Sequence, residues 1–319
     1  MTNLRPFRFG VINETTMPVA AWLKHVQRVE ALGYSTFLIR DHFTPDFFGE
    51  QLAPLIALTA AAAVTTRLRL GTLVIDNDYR HPVMLAKEAA TLDWLSGGRL
   101  ELGLGAGWLQ REYDAAGMPY ERAALRIDRL EEAITVLKGL FAGEPFSHVG
   151  THYRIDQLDI YPTPSQRPHP PLLIGGGKRR VLTLAGREAD IVSILTTSVA
   201  TGTVLDDPRE RTCASVRQKL DWVRAGAGDR FARIELSLIP SLIVTDEPRR
   251  RASELIAERQ WNGVSIDDVL AMPSFLIGSI DEILERLRRC RDEFGFSYYV
   301  VSDEITEQFA PIVAALAGE

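Results

Sequence analysis

Asp41 and His42 stand side by side after an apolar run and before Phe43. Imidazole is the side chain whose charge changes near neutral pH. At a strand end such a histidine is either a satisfied structural group or a general acid or base, and the neighbouring Asp41 favours chemistry. Two glycine clusters lie further along. Gly105, Ala106, Gly107 and Trp108 close the run LELGLGAGW, and Gly175, Gly176, Gly177 and Lys178 close LLIGGGK. Free backbone N–H groups at a glycine-lined helix entry attract phosphate, and Lys178 and Arg179 add positive charge. A plain left-handed turn needs one glycine, not three. Neither cluster has the spacing of a nucleotide motif. GLGAGW puts its third glycine one position early for G-x-G-x-x-G, and GGGK lacks the outer glycine and the Ser/Thr of a P-loop.

Other candidates are weaker. Glu14, between Asn13 and Thr15, follows the first strand and is a polar group for the same site. His81 precedes Pro82 at a helix start, where it either contacts a cofactor or caps the helix. His25, His148, His152 and His169 fall on a helix, a hairpin and a connector and are assigned no chemistry. No group of residues has metal-ligand spacing, so no metal is expected.

These residues share one property: each follows a predicted strand. Strands are read at residues 7–12, 34–39, 68–75, 99–104, 172–174, 190–195, 234–244 and 298–302. Helices are read between them, at 19–32, 54–65, 82–95, 121–141, from 178, 209–225, 248–272 with a break near Asn262 and Gly263, 279–294 and 307–316. The helix at 82–95 opens on Pro82, where the missing N–H costs nothing, and stops at Gly97 and Gly98. Short apolar strands alternating with helices predict a β/α barrel, which places residues after strand ends around the active-site mouth. In the fourth strand Leu100, Leu102 and Leu104 share one face, and Glu101, Gly103 and Gly105 share the other. Glycines facing the lumen either leave open volume for a flat ligand or permit tight packing of a barrel layer.

The rhythm breaks once. Residues 145–162 alternate around Gly150 as a β-hairpin, and a Pro-rich connector, PTPSQRPHPP, follows to residue 171. The β–α pattern then resumes, so 1–319 reads as one barrel domain with an insertion at 145–171. The polar loop at 196–208 is long enough to be a lid.

Composition sets the class. The chain has 319 residues, is 46% hydrophobic and 24% charged, and carries a net charge of −6. No basic stripe argues for nucleic acid or an anionic membrane surface, and the cluster Arg249–Arg251 reads as a solvated helix start. No apolar run approaches the roughly 18 residues of a membrane span. The two cysteines, Cys213 and Cys290, form no metal or redox motif, and the N-terminus lacks the apolar core of a signal peptide, so a cytoplasmic location is expected.

Taken together, Asp41-His42-Phe43, GTLVIDNDYRHPVMLAKEAATLD, GGRLELGLGAGW and LLIGGGKRRVLTLAGREADIV resemble the bacterial luciferase-like superfamily, particularly its branch of oxidoreductases dependent on the deazaflavin coenzyme F420. LIGSIDEILERLR and the last strand match more weakly. The resemblance implies a TIM barrel, commonly a homodimer, acting on a small organic substrate. It implies a non-prolyl cis peptide at Leu73-Val74 bulging against the cofactor ring. Asp41, Leu73, Val74, His81, Gly105, Ala106, Gly107, Trp108, Gly175, Gly176, Gly177 and Lys178 become cofactor positions, with His42 and Glu14 as catalytic groups. The family's sugar-phosphate dehydrogenases carry glutamate where Trp108 stands, which argues for a flatter or more apolar substrate here. Two alternatives accompany the F420 reading: an FMN-dependent two-component monooxygenase and a catalytically silent ligand-binding barrel.

Overall fold

The computed structural model describes residues 5–45, 48–196, 198–199, 203–204 and 206–319. Eight parallel strands close into a barrel: β1 Arg8–Ile12, β2 Thr36–Ile39, β3 Arg69–Thr72, β4 Leu100–Gly105, β5 Leu172–Gly176, β6 Ile191–Ile194, β7 Glu235–Leu238 and β8 Phe296–Ser302. Each pairs with the next in sequence, and β8 closes on β1 in the register Arg8↔Tyr298 to Ile12↔Ser302. The helices between them are α1 Val19–Ala31, α2 Pro54–Val64, α3 Pro82–Ser96, α4 Ala123–Phe141, α5 Arg179–Glu188, α6 Cys213–Ala227, α7 Ile280–Phe294 and α8 Thr306–Leu316. This is the expected TIM barrel.

Two apolar layers follow from the two faces of each strand. Ile12, Leu38, Leu173, Ile191, Tyr298 and Val300 fill the lumen, while Phe9, Val11, Leu102, Ile174, Tyr299 and Val301 pack outward against the helices. Strands buried on both faces read as continuous apolar runs. The lumen floor is ionic. Arg8 bonds Glu101 and Glu235 at 2.6 Å each, and Arg69 reaches Glu101 at 2.5 Å. Glu101, though lumenal, therefore belongs to the end opposite the strand C-termini.

The structure departs from the expected elements in three places. The third strand is interrupted: Ile75–Asp76 pairs with Leu104 and Gly105 separately from β3, and the Leu73-Val74 bond between them is cis. The expected seventh strand is two. Pro240 has no N–H to continue the ladder, and Ser241–Val244 leaves the barrel to pair in parallel with Phe275–Gly278. That pair, with helices Pro248–Glu258 and Ile266–Ala271, encloses its own small core of Leu255, Trp261, Val269, Met272 and Phe275. Finally, a helix, Gln110–Ala116, follows the glycine loop after β4 in a stretch to which the sequence pattern assigns no element.

The hairpin of the insertion forms as expected, Phe146–Val149 against Arg154–Leu158. The Glu132 carboxylate accepts the N–H groups of Thr151, His152 and Tyr153 at its turn. Part of the expected lid lies outside the described residues; within it Ser198–Val199 pairs with Thr203–Val204. Among the described residues no helix is long and apolar enough to cross a membrane.

Candidate active site

A cavity of about 630 Å³ opens at the C-terminal ends of the strands. Asp41, His42, Leu73, Val74, Gly105, Ala106, Gly107, Trp108, Gly175, Gly176, Gly177 and Lys178 all line it. Sequence positions more than a hundred residues apart thus meet because each ends a barrel strand.

His42 is held on three sides. Its Nδ1 lies 2.9 Å from a carboxylate oxygen of Glu112. Its ring stacks on Phe48 at 5.5 Å and meets Trp108 edge-on at 6.0 Å. Glu112, on the helix Gln110–Ala116, is fully buried and also accepts from Phe43 N–H at 2.7 Å, Thr44 N–H at 2.9 Å, the Thr44 hydroxyl and the Tyr79 hydroxyl. Burial alone would raise its carboxyl. The bonds from His42 and Thr44 outweigh that and bring it down to about 2. An ionised carboxylate only accepts hydrogen bonds, so Nδ1 carries the proton and Nε2 is the ring nitrogen left for the cavity.

Asp41 is differently placed. Arg80 grips both its oxygens, at 2.6 and 3.1 Å, and it accepts the Asp76 N–H at 3.1 Å. It thereby fixes the backbone that follows the Leu73-Val74 bond. Asp76 also faces the cavity. It accepts from the Tyr113 hydroxyl at 2.8 Å, and burial pushes its carboxyl up to about 7.

The glycines of β4 do not leave open volume. A Cβ at Gly105 would stand 2.6 Å from Val74 Cγ2, and one at Gly103 would stand 3.2 Å from Val74 Cγ1. Val74 fills the space beside Gly105, while at Gly103 the Thr72 carbonyl oxygen, closer still to an added Cβ, closes it first. Thr72 Oγ1 both accepts the Gly103 N–H and donates to its carbonyl, at 2.8 Å each. Gly107, at φ +71°, carries the chain against Asp76 and Tyr113. Arg126 donates to the carbonyls of Ala106 and Gly107 and so holds this loop from behind.

Of the second glycine run, Gly175 and Gly176 belong to β5 and pair with Ser193 and Ile194. Gly177 makes the close approach: a Cβ there would lie 2.8 Å from the carbonyl oxygens of Leu195 and Thr196. Exposed Lys178 precedes α5, and no side chain caps that helix. The first N–H groups of α5 thus lack a side-chain acceptor where the cavity opens, which fits an anionic group.

Two expected positions lie off the cavity wall. Glu14 pairs with Arg40, whose guanidinium sits 4.1 Å over the Phe48 ring. His81 accepts the Val83 N–H as the N-terminal cap of α3. Glu14 touches the cavity wall through Arg40, whereas the partners of His81, Val83 N–H and the Tyr153 ring, are not among the lining residues.

A model of the luciferase-like monooxygenases matches residues 4–298. The chain belongs to that family. An FMNH2-dependent dimethylsulfone monooxygenase of Pseudomonas putida is 27% identical over 246 residues, 76% of this chain and 64% of the relative. An F420-dependent hydroxymycolic acid dehydrogenase of Mycobacterium tuberculosis is 35% identical over 169 residues, 52% of this chain and 46% of the relative. The match therefore spans less than two thirds of either relative's length. Among solved structures, an F420-dependent secondary alcohol dehydrogenase bound to an F420–acetone adduct superposes with TM-score 0.74 at 18% identity, covering 98% of this chain and 99% of that one. The F420-dependent tetrahydromethanopterin reductase of Methanopyrus kandleri does so with TM-score 0.74 at 19% identity, with the same coverage.

Several residues of the site carry no signal in the sequence pattern. Glu112 and Phe48 were hidden because their partner, His42, is distant or unpatterned in sequence. Arg126 sits on an ordinary amphipathic helix. Arg211 and Lys219 line the opposite wall from a segment read as generic helix, and Ser274 from the short stretch between two predicted helices.

Proposed function

We propose that this protein is an oxidoreductase that moves a hydride between coenzyme F420 and a small organic substrate. The observation that carries this is His42, fixed on Glu112 through Nδ1, in one cavity with the Gly177–Lys178 entry to α5. F420 supplies the redox chemistry when bound, through the reactive carbon of its ring. Leu73, Val74 and the Gly105–Gly107 backbone would hold the ring, and Gly175 to Lys178 its phosphate. Asp41 keeps the Val74 segment in place through Asp76 N–H. His42 Nε2 gives or takes the proton that accompanies substrate oxidation or reduction, and Trp108 walls the substrate side. Glu14 sets Arg40, and His81 sets the start of α3.

The F420 relatives, 35–36% identical over about half the chain, support this cofactor. One observation favours a second reading: the FMNH2-dependent relative matches over 76% of the chain. Titrating the purified protein with each cofactor and following quenching of its fluorescence separates the two. F420 binding with weak or no FMN binding supports the first reading. Micromolar FMN affinity without F420 binding overturns it.

A homodimer belongs to the same proposal. α2 contains no charged residue, yet Ile56 on it is 77% exposed, and Met84, Trp94 and Leu95 on neighbouring α3 are each more than half exposed. Such apolar exposure marks an interaction surface. Two unpaired cysteines fit a cytoplasmic setting.

A further inference from the structure

The wall of the cavity away from His42 is apolar along Val216, Leu238 and Ile239, then turns polar at Arg211 and Ser274. Ser274 is buried, at 8% exposure, and its hydroxyl has no hydrogen-bond partner. The Arg211 guanidinium is 15% exposed, and its buried Nε also has no partner. Only one of its terminal nitrogens is engaged by the nearest carboxylate, Asp206, at 3.2 Å. That carboxylate is shared, because Arg259 donates to both of its oxygens at 2.9 and 3.0 Å. Lys219 is occupied by Glu210 at 2.7 Å and the Leu195 carbonyl at 3.0 Å. Among the described residues, Arg211, Lys219 and Arg259 thus share two carboxylates, Asp206 and Glu210, an excess of one positive charge in this cluster. Buried polar groups are normally satisfied, so an unpartnered guanidinium Nε–H and an unpartnered hydroxyl on two residues that line one cavity mark a place for a ligand.

We infer that Arg211 and Ser274 form the specificity corner of the cavity and receive a carboxylate of the substrate, whose apolar body lies along Val216, Leu238 and Ile239 toward His42. A planar guanidinium with a terminal nitrogen that Asp206 does not engage can donate to a carboxylate. An excess of one charge suits a monoanion rather than a dianionic phosphate. The substrate class is therefore an organic acid with an apolar chain or ring bearing the oxidisable or reducible group. This rests on the reading of the cavity as a redox site, and it refines the expectation of a flat or apolar substrate.

The test uses the 319-residue chain without cofactor. Hexanoate and benzoate are compared with hexanamide and benzamide by thermal unfolding and calorimetric titration. A ligand at ten times its dissociation constant raises the unfolding temperature by a few degrees. The expected result is a rise with the carboxylates alone, lost in Arg211→Met. Arg211→Lys and Ser274→Ala should weaken carboxylate binding about tenfold. Equal binding of acid and amide, or undiminished carboxylate binding by Arg211→Met, overturns the inference. F420 and FMN titrations of the same variants identify the source of the carboxylate. Unchanged cofactor affinity assigns the corner to substrate, whereas parallel loss assigns Arg211 to the anionic tail of the cofactor and overturns it. A wild-type protein that binds the acids but neither cofactor sinks the proposed function and leaves this corner standing.

Discussion

His42 and Glu112, seventy residues apart, are joined by a 2.9 Å contact between Nδ1 and a buried carboxylate. The contact selects one neutral tautomer, with the proton on Nδ1 and Nε2 free to exchange a proton in the cavity. Glutamine at 112 keeps the volume but offers an NH2 as well as a carbonyl, so it can pair with either tautomer. In Glu112→Gln, ¹⁵N NMR of the imidazole should show mixed tautomers where the wild type shows Nδ1–H alone. The variant also weakens bonds to Phe43 and Thr44 N–H, with an expected loss of about 1–3 kcal/mol in chemical denaturation. An unchanged tautomer would remove Glu112 from the positioning of His42.

Val74 and Gly105 form a matched pair. The added Cβ of Gly105→Ala would press on Val74 Cγ2 at 2.6 Å, an overpacking expected to cost about 1–3 kcal/mol. Val74→Ala makes the room back. The double variant should recover much of that loss, giving a coupling energy well above the few tenths seen for independent sites. Additive losses in urea unfolding would mean that the two side chains do not meet.

The barrel was legible because its strands are buried on both faces and its helices on one, so apolar runs alternate with amphipathic ones. The cavity wall was legible wherever it follows directly from strand ends, as at Asp41, His42 and the two glycine clusters. What stayed hidden depends on contacts across the fold. The period-2 pattern of β4 assigned Gly103 and Gly105 to the lumen but not to Val74. Glu112 lies in QREYDAA, a short polar segment with no apolar periodicity. Ser241–Val244 looked like an extension of β7, and only Pro240 signalled that the ladder ends there. Arg211 and Ser274, whose Nε and hydroxyl lack partners, come from segments 63 residues apart that line one cavity only in the folded chain.

Asp76 should shape stability against pH. Its carboxyl is raised by burial from near 3.8 to about 7, so between these values the folded chain holds a proton that the unfolded chain has released. Stability from this group is fully present below pH 4 and lost as pH rises through 7, by up to about 1.4 kcal/mol per pH unit. Glu112, lowered to about 2, acts with the opposite sign and only below about pH 4.5. Asp76→Asn should therefore flatten the pH 4.5–7.5 stability profile, and the variant should gain on the wild type as pH rises. A constant difference across that range in denaturant titrations would contradict the burial of an ionisable Asp76.

The apolar face of α2 and α3 carries the last prediction. Ile56, Met84, Trp94 and Leu95 are exposed on adjacent helices with nothing of their own chain above them, and none supports the cavity wall. Sedimentation equilibrium of the wild type should report twice the chain mass. Ile56→Glu combined with Trp94→Glu puts two like charges on each half of a self-complementary interface, so each is opposed by its own copy. Such desolvated like charges cost several kcal/mol, enough to give the single-chain mass at micromolar concentration. Because both side chains are solvent-facing within one chain, the far-UV spectrum should stay unchanged. A wild type that sediments as a single chain, or a double variant that remains a dimer, would place the interface elsewhere or remove it.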